Sequence, residues 1–528
     1  MLEVFPARFR LVEQRGRGIG ARALGWKGKT MNWTTLETLP RPTLGELFGD
    51  ARRVDTLATT LDLPGATIRF DWSKTHLDNA VIAAFEALAR EADFAGKRAA
   101  LFAGEVVNPS EGRAATHTAQ RGVGDPADVE EADALHQRMK LLVEAIHEGV
   151  LDEVKSLIHI GIGGSALGPA LAIDALARDE AKVAVHVVSN IDGCALEEAF
   201  AKCDPATTLI AAASKTFTTT ETLINLASAL DWLRSGGVGD PHGRVIALTA
   251  APDKAVEWGI DETRVLPFPE TVGGRYSLWS SIGFPIALAL GWEPFAEMLE
   301  GAAAIDRHFR ETDGVANLPL RAAFADLYYA QVRGCQTRAV FAYDERLRFL
   351  PSYLQQLEME SNGKSVTADG APLGRASAAV TWGGVGTDAQ HAVFQLLHQG
   401  THLIPVDFVA VIAPGDALDP VHHHTLLANC FAQGAALLAG QANADAARAY
   451  PGDRPSATIL LDQLTPASFG ALIAFHEHRT FANAALLGIN PFDQFGVELG
   501  KAIAKSIDAG GATFDASTAA LLAAAGVG

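Results

Sequence analysis

The chain has 528 residues, 48% of them hydrophobic and 20% charged, with a formal net charge of −19. That length allows roughly three or four domain-sized units, or two large ones, around a sizeable core, and the composition excludes a wholly disordered chain. The acidic balance repels nucleic acid and anionic membrane at long range, so neither is expected as a partner.

The first thirty residues stand apart, with Arg8, Arg10, Arg15, Arg17, Arg22, Lys27 and Lys29 against Glu3 and Glu13. They lack the apolar stretch of a secretory signal. Residues 1–30 read as a disordered extension or a start assigned too far upstream, with the natural start near Met31. Gly16-Arg17-Gly18-Ile19-Gly20 follows no strand and reads as a flexible segment rather than a dinucleotide loop. Residues 31–130 are expected to be mainly helical and to pack on the larger unit.

From Ser156 the pattern becomes strand, turn, helix. Ser156–Ile162 is a short apolar run ending in Gly161-Ile162-Gly163-Gly164-Ser165, with a helix through Leu171–Ala177. Val183–Ser189, Thr207–Ala213 and Arg244–Thr249 are further strand candidates. The third of these four runs leads into Ser214-Lys215-Thr216-Phe217-Thr218-Thr219 and a helix from Glu221 to Leu233. A second series carries strands at Arg338–Ala342, Ala378–Trp382 and Asp407–Ile412. Continuous apolar strands alternating with helices imply parallel sheets covered on both faces. The reading is therefore two tandem three-layer α/β/α sandwich units, over 131–290 (small) and 291–505 (large), with a helical tail over 506–528 whose helix Ala516–Ala525 is capped by Asp515.

No apolar run reaches the length of a membrane span; Phe284–Leu290 is too short and carries Pro285. Cys194, Cys203, Cys335 and Cys430 form no C-x-x-C pair and read as reduced thiols of a cytoplasmic protein.

Two turns carry the first chemical signal. Ligands of parallel sheets sit beyond the carboxyl ends of the strands. Glycines at 161, 163 and 164 let backbone approach a ligand, and Ser165 adds a hydroxyl beside a helix N-terminus. Ser214, Thr216, Thr218 and Thr219 add four more hydroxyls around Lys215. Such local donors are what a monoester phosphate needs against an acidic field. Neither turn alone is specific; a mononucleotide stays open, although no G-x-x-x-x-G-K-[ST] occurs.

Arg275, between glycines in Val272-Gly273-Gly274-Arg275-Tyr276-Ser277, can aim a fixed charge at a developing oxyanion. Glu360, in the polar run Gln355–Lys364, is a candidate base for a proton alpha to a carbonyl. His391 can donate or accept near neutral pH. Each residue taken alone has a commoner bland role, as a salt-bridging arginine, a solvated glutamate or a packing histidine. The consecutive His422, His423 and His424 point in different directions along a helix and cannot chelate one ion together, and the same defect applies to His476 and His478. No metal and no cofactor are expected.

Taken together, these segments resemble the glucose-6-phosphate isomerase family over nearly the whole chain after residue 30. The resemblance rests on Asn108–Arg113 with His117 and Arg121, Gly161–Pro169, Ser214–Thr219, Val272–Trp279, Gln355–Lys364, Gly386–Gln395 and Asn490–Lys501. It implies the sugar isomerase (SIS-type) fold and interconversion of glucose 6-phosphate and fructose 6-phosphate through a cis-enediolate, in glycolysis and gluconeogenesis. The phosphate would rest on Gly164, Ser165, Ser214, Lys215, Thr216 and Thr219. Glu360 would move the proton between C1 and C2, and Arg275 would stabilise the enediolate. His391 and Lys501 would open and close the ring, and Gln356 and Gln494 would orient the substrate. The family's histidine comes from the neighbouring subunit, so a homodimer with shared active sites is implied. Ala166, Thr220, Gly384-Val385, Asp388 and Phe495 depart from the family pattern, but none of them is a proposed catalytic residue. A regulator that binds the sugar phosphate without converting it would keep the hydroxyl loops and could lose the base and the arginine. Slow C2 epimerisation to mannose 6-phosphate is left open.

Overall fold

The computed structural model describes residues 31–510 and 513–527. The basic segment 1–30 lies outside the described residues. The segment expected to be mainly helical also forms a hairpin, β1 (Ala58–Leu63) and β2 (Ala66–Asp71), turning at Pro64-Gly65. Alternation drives it: in Ala66–Asp71 the residues Ala66, Ile68 and Phe70 point inward and are buried.

The first sheet is entirely parallel. It comprises β3 (Ser156–Gly161), β4 (Ala184–Val188), β5 (Thr208–Ala213), β6 (Val245–Thr249) and β7 (Val265–Pro267), in spatial order β4-β3-β5-β6-β7. Every residue of β3, β5 and β6 is buried, as continuous apolar runs require when helices cover both faces. The short β7, ending in a proline, closes one edge and gave no period for sequence reading to find.

The second sheet contains β8 (Thr337–Tyr343), β9 (Val380–Val385), β10 (Val406–Val411) and β11 (Ser456–Leu461). Its order is β1-β2-β11-β10-β8-β9. The four later strands are parallel, and the hairpin joins through β2 antiparallel to β11. Residues from the first hundred thus complete a sheet built from the second half of the chain.

Packed against β2 of the second sheet is a helix that sequence reading had not singled out, Pro466–Leu487. It is buried all round, including His476, Glu477, His478 and Arg479, and lies against the helix Trp292–Glu311. A helix without a polar face shows no amphipathic stripe. Its buried charges sit in two ion clusters. Arg121 holds Asp306 and Glu477. Arg338 and Arg479 hold Asp326, Glu358 and Asp407.

Lys97, on the helix Phe94–Phe102, is buried and donates to the Ala485 carbonyl 2.9 Å away. Burial pushes its pKa down to about 8, against the weaker upward pull of Asp93. The folded chain therefore carries the cost of a buried charge below pH 8, and stability rises with pH as the unfolded lysine retains its proton up to its ordinary pKa of 10.5. Lys97→Met is expected to stabilise the fold by about 1–3 kcal/mol at pH 7. Urea titrations should show that gain shrinking as pH rises through 8 to 10.5.

Candidate active site

β3 and β5 pair in register up to Gly161 opposite Ala213, so the glycine turn and the hydroxyl turn leave the sheet side by side. Ser214 Oγ lies 2.9 Å from Thr219 Oγ1, and Thr216 Oγ1 lies 2.8 Å from Thr218 Oγ1. The helices that follow, Leu167–Leu176 and Thr220–Ser235, receive no side-chain cap at their N-termini. Their first N–H groups and the positive ends of their dipoles remain available to an anion. The buried His159 fixes the first turn from beneath, its Nε2 hydrogen bonding the Ser165 carbonyl at 2.7 Å. Burial drives its pKa down to about 4, so the ring stays neutral.

The glycine turn rests on the arginine loop. A Cβ at Gly164 would stand 2.3 Å from the Gly274 carbonyl carbon, and one at Gly163 (φ 57°) would stand 3.0 Å from Gln356 Nε2. Lys215 joins the same loop, donating to the carbonyls of Glu270 (2.7 Å) and Val272 (3.0 Å). Burial above all, with the charge of Arg113, lowers its pKa. The ammonium expected on the phosphate thus spends two of its three protons holding the loop that presents Arg275.

Arg275 occupies the short helical turn Gly274–Trp279 with its side chain only 1% exposed. Its Nε donates to Ser361 Oγ (2.6 Å), and Nη1 donates to Glu360 Oε1 (3.0 Å) and Gln494 Oε1 (2.6 Å). Nη2 donates to the carbonyls of Pro491 and Asp493. Five donors meet five acceptors, which fixes the guanidinium in position and plane. Glu360 closes the π-helical turn Gln355–Glu360, a backbone irregularity that recurs at functional sites. Gln356 Nε2 donates to its other oxygen at 2.8 Å. The carboxylate is 20% exposed and faces the open side of the pair.

Several supporting residues had been flagged only as parts of motifs. Ser361 Oγ lies 3.0 Å from the Tyr276 hydroxyl, and the His117 ring packs on Tyr276 at 4.7 Å. Burial keeps His117 neutral by pushing its pKa well down. Lys364 binds the Glu360 carbonyl (3.0 Å), the Asp493 carbonyl (2.6 Å) and the Asp493 carboxylate (2.9 Å). Asp493 accepts from Ser110 and Asn490, and Asn490 donates to Asn108. Segments near 110, 360 and 490 are thereby tied behind one carboxylate. Density of polar residues in Gln355–Lys364 was the one local signal of this.

Arg275, Glu360, Gln356 and Gln494 are joined directly, and the Gly164 and Lys215 turns abut them. Two expected members stay outside. His391 is exposed on the helix Asp388–Ala392. Lys501 is exposed on the helix Glu498–Ala509 and pairs with Glu498 at 3.1 Å. Among the described residues neither hydrogen bonds the Arg275–Glu360 pair. No group of His, Cys, Asp or Glu there is arranged to hold a metal ion, and His423 Nε2 bonds the Ile412 carbonyl at 2.8 Å.

A parallel sheet whose paired anion-type turns abut a carboxylate–guanidinium couple defines the class as an α/β protein with an anion site beside a candidate acid–base pair. The family profile described as Phosphoglucose isomerase matches residues 71–522. The chain is 75% identical over 496 residues to the glucose-6-phosphate isomerase of Novosphingobium aromaticivorans, covering 94% of this chain and 98% of that protein. It is 60% identical over 496 residues to the one from Zymomonas mobilis, covering 93% and 97%. The crystal structure of a glucose-6-phosphate isomerase from Chlamydia trachomatis superposes with a TM-score of 0.81 at 30% identity, over 89% of this chain and 93% of that one. The chain belongs to the phosphoglucose isomerase family.

Proposed function

We propose that this enzyme interconverts glucose 6-phosphate and fructose 6-phosphate in the cytoplasm, in glycolysis and gluconeogenesis. The observation that carries the reading is the Arg275–Glu360 pair set against two uncapped anion turns. The phosphoryl group rests on Gly164, Ser165, Ser214, Thr216 and Thr219 with Lys215 alongside. Glu360 takes the proton from one of the sugar's first two carbons and returns it to the other. Arg275 offsets the negative charge of the enediolate between those steps. All five of its N–H groups are engaged, so it acts through charge until Gln494, itself exposed, gives up its bond. A coupled assay in both directions with excess chelator tests this; turnover is expected, and its absence with both substrates sinks the proposal.

His391 and Lys501 act on the ring oxygen and anomeric hydroxyl in a homodimer. Two features support that assembly. His391 faces outward, and the helix Glu498–Ala509 buries no residue while Leu499 and Ile503, with Phe495 just before it, expose apolar side chains. If sites are shared, Glu360→Gln and His391→Ala variants, each inactive, should regain activity when unfolded together and refolded as mixed dimers. Failure of the mixture to exceed its parents places both residues in one subunit's site.

A further inference from the structure

The proposed reaction leaves one largely buried cation beside the base without a task. Lys364 lies four residues past Glu360, its side chain 14% exposed. A glycine brings it there. Gly363 donates its N–H to the Met359 carbonyl at 2.9 Å, and a Cβ at Gly363 would stand 2.4 Å from that oxygen. Without a side chain at 363 the chain folds back tightly on the π-helical turn Gln355–Glu360.

The helical run that follows this turn ends at Asn362. The Lys364 N–H donates to the Asn362 carbonyl at 3.0 Å, so the Glu360 carbonyl lacks the backbone donor that a continuing helix would supply. The Lys364 side chain supplies one instead, Nζ donating to that carbonyl at 3.0 Å. Its other two protons go to Asp493, 2.6 Å from the carbonyl and 2.9 Å from the carboxylate. All three protons are spent, so none is offered to a substrate. Asp493 is itself fixed by Ser110 and Asn490. Its carbonyl also receives Arg275 Nη2 at 3.2 Å. One oxygen therefore joins the clamp on the base's backbone to the clamp on the guanidinium.

This second link matters because the first one changes during the reaction. Arg275 Nη1 meets Glu360 Oε1 at 3.0 Å as an ion pair. Once Glu360 has taken a proton its charge is gone, and that attraction weakens. At that moment the base must keep its place to return the proton to the neighbouring carbon. A bond to the backbone carbonyl does not depend on the charge of the side chain.

We infer that Lys364 is a positioning residue: by capping the Glu360 carbonyl and gripping Asp493, it keeps the base in register with Arg275 while the ion pair between them is weakened. Its part in turnover rests on the proposed isomerase reading.

Lys364→Met should lower kcat by about 10–100-fold while KM stays within about threefold, since the anion turns lie on other elements. The isotope effect on kcat with glucose 6-phosphate deuterated at C2 should rise, because a misplaced base makes the proton transfer slower. A kcat close to the parent's, or a rise in KM without loss of kcat, overturns the role. If Lys364→Met fails to fold, Lys364→Met with Asp493→Asn decides. It strands no charge, and the asparagine keeps an oxygen for Ser110 and Asn490. Its kcat should stay low; a return to the parent value would mean that Lys364 merely neutralises Asp493. Position can also be read without turnover. Glu360→Gln mimics the uncharged base, and in crystals that variant alone should leave the turn in place. Adding Lys364→Met should displace residue 360 by about 1 Å; an unmoved turn overturns the tether. A wild-type chain that converts neither hexose phosphate would defeat the proposed function, and the crystals would still decide whether Lys364 holds the turn.

Discussion

Glu360→Gln is expected to lower kcat by about 10²–10⁴-fold, the range lost when a positioned general base is removed. The substitution keeps the shape of the side chain and removes its ability to take a proton. Gln356 can still donate to the amide oxygen, and Arg275 retains Ser361, Gln494 and the carbonyls of Pro491 and Asp493. The guanidinium should therefore hold its place. The anion turns lie on other elements, so affinity for a sugar phosphate should change little. Calorimetry with a non-isomerising sugar phosphate and exchange of the C2 proton with solvent separate the two effects: binding kept, exchange lost. A variant with kcat within a few-fold of the parent, or one that exchanges normally, would mean another group is the base.

The buried strands of the first sheet were legible because parallel strands covered on both faces are near-continuous apolar runs, as in Leu209–Ala213 and Val245–Leu248. The hairpin Ala58–Asp71 carried a local signal, the alternation of Ala66, Ile68 and Phe70 after Pro64-Gly65, that was passed over, but its place in the second sheet was not legible, because its pairing to β11 joins residues almost four hundred positions apart, as in Ile68 with Leu461. Local pattern carries no such information. The same holds at the site. Glycines and hydroxyls announced the turns, and a single arginine between glycines announced a directed charge. That Arg275 would find five acceptors drawn from two distant segments, Glu360-Ser361 and Pro491–Gln494, was not readable. Lys215 was read as a phosphate ligand from its neighbours in sequence, whereas carbonyls of the arginine loop, more than fifty residues on, take two of its protons. His391 shows the limit from the other side: it was read as a site residue from its motif, and it lies exposed on the helix Asp388–Ala392, away from the Arg275–Glu360 pair.

Arg121→Met is expected to cost about 3–5 kcal/mol of stability, because it leaves buried carboxylates without their cation. The Arg121 side chain is wholly buried, as are those of Asp306 and Glu477. Its Nε and Nη2 donate to the two Asp306 oxygens at 2.7 and 2.6 Å, and Nη1 donates to Glu477. His478 reaches Asp306 at 2.6 Å, but burial lowers its pKa, so a neutral ring cannot replace the guanidinium. Methionine fills much of the volume and carries no charge. The damage should extend beyond stability. Arg121 lies over the Trp279 ring at 4.6 Å, and Trp279 Nε1 donates to Glu477 at 2.8 Å. Trp279 ends the turn that begins with Gly274 and Arg275, so loosening one end should unsettle the guanidinium at the other. Urea unfolding should show the lost stability, and kcat should fall under conditions where the variant remains folded. Adding Glu477→Gln should restore part of the stability by removing one stranded charge, without restoring kcat, since the Trp279 anchor is then weaker. Additive losses in the double variant would show that Arg121 and Glu477 do not act as one unit.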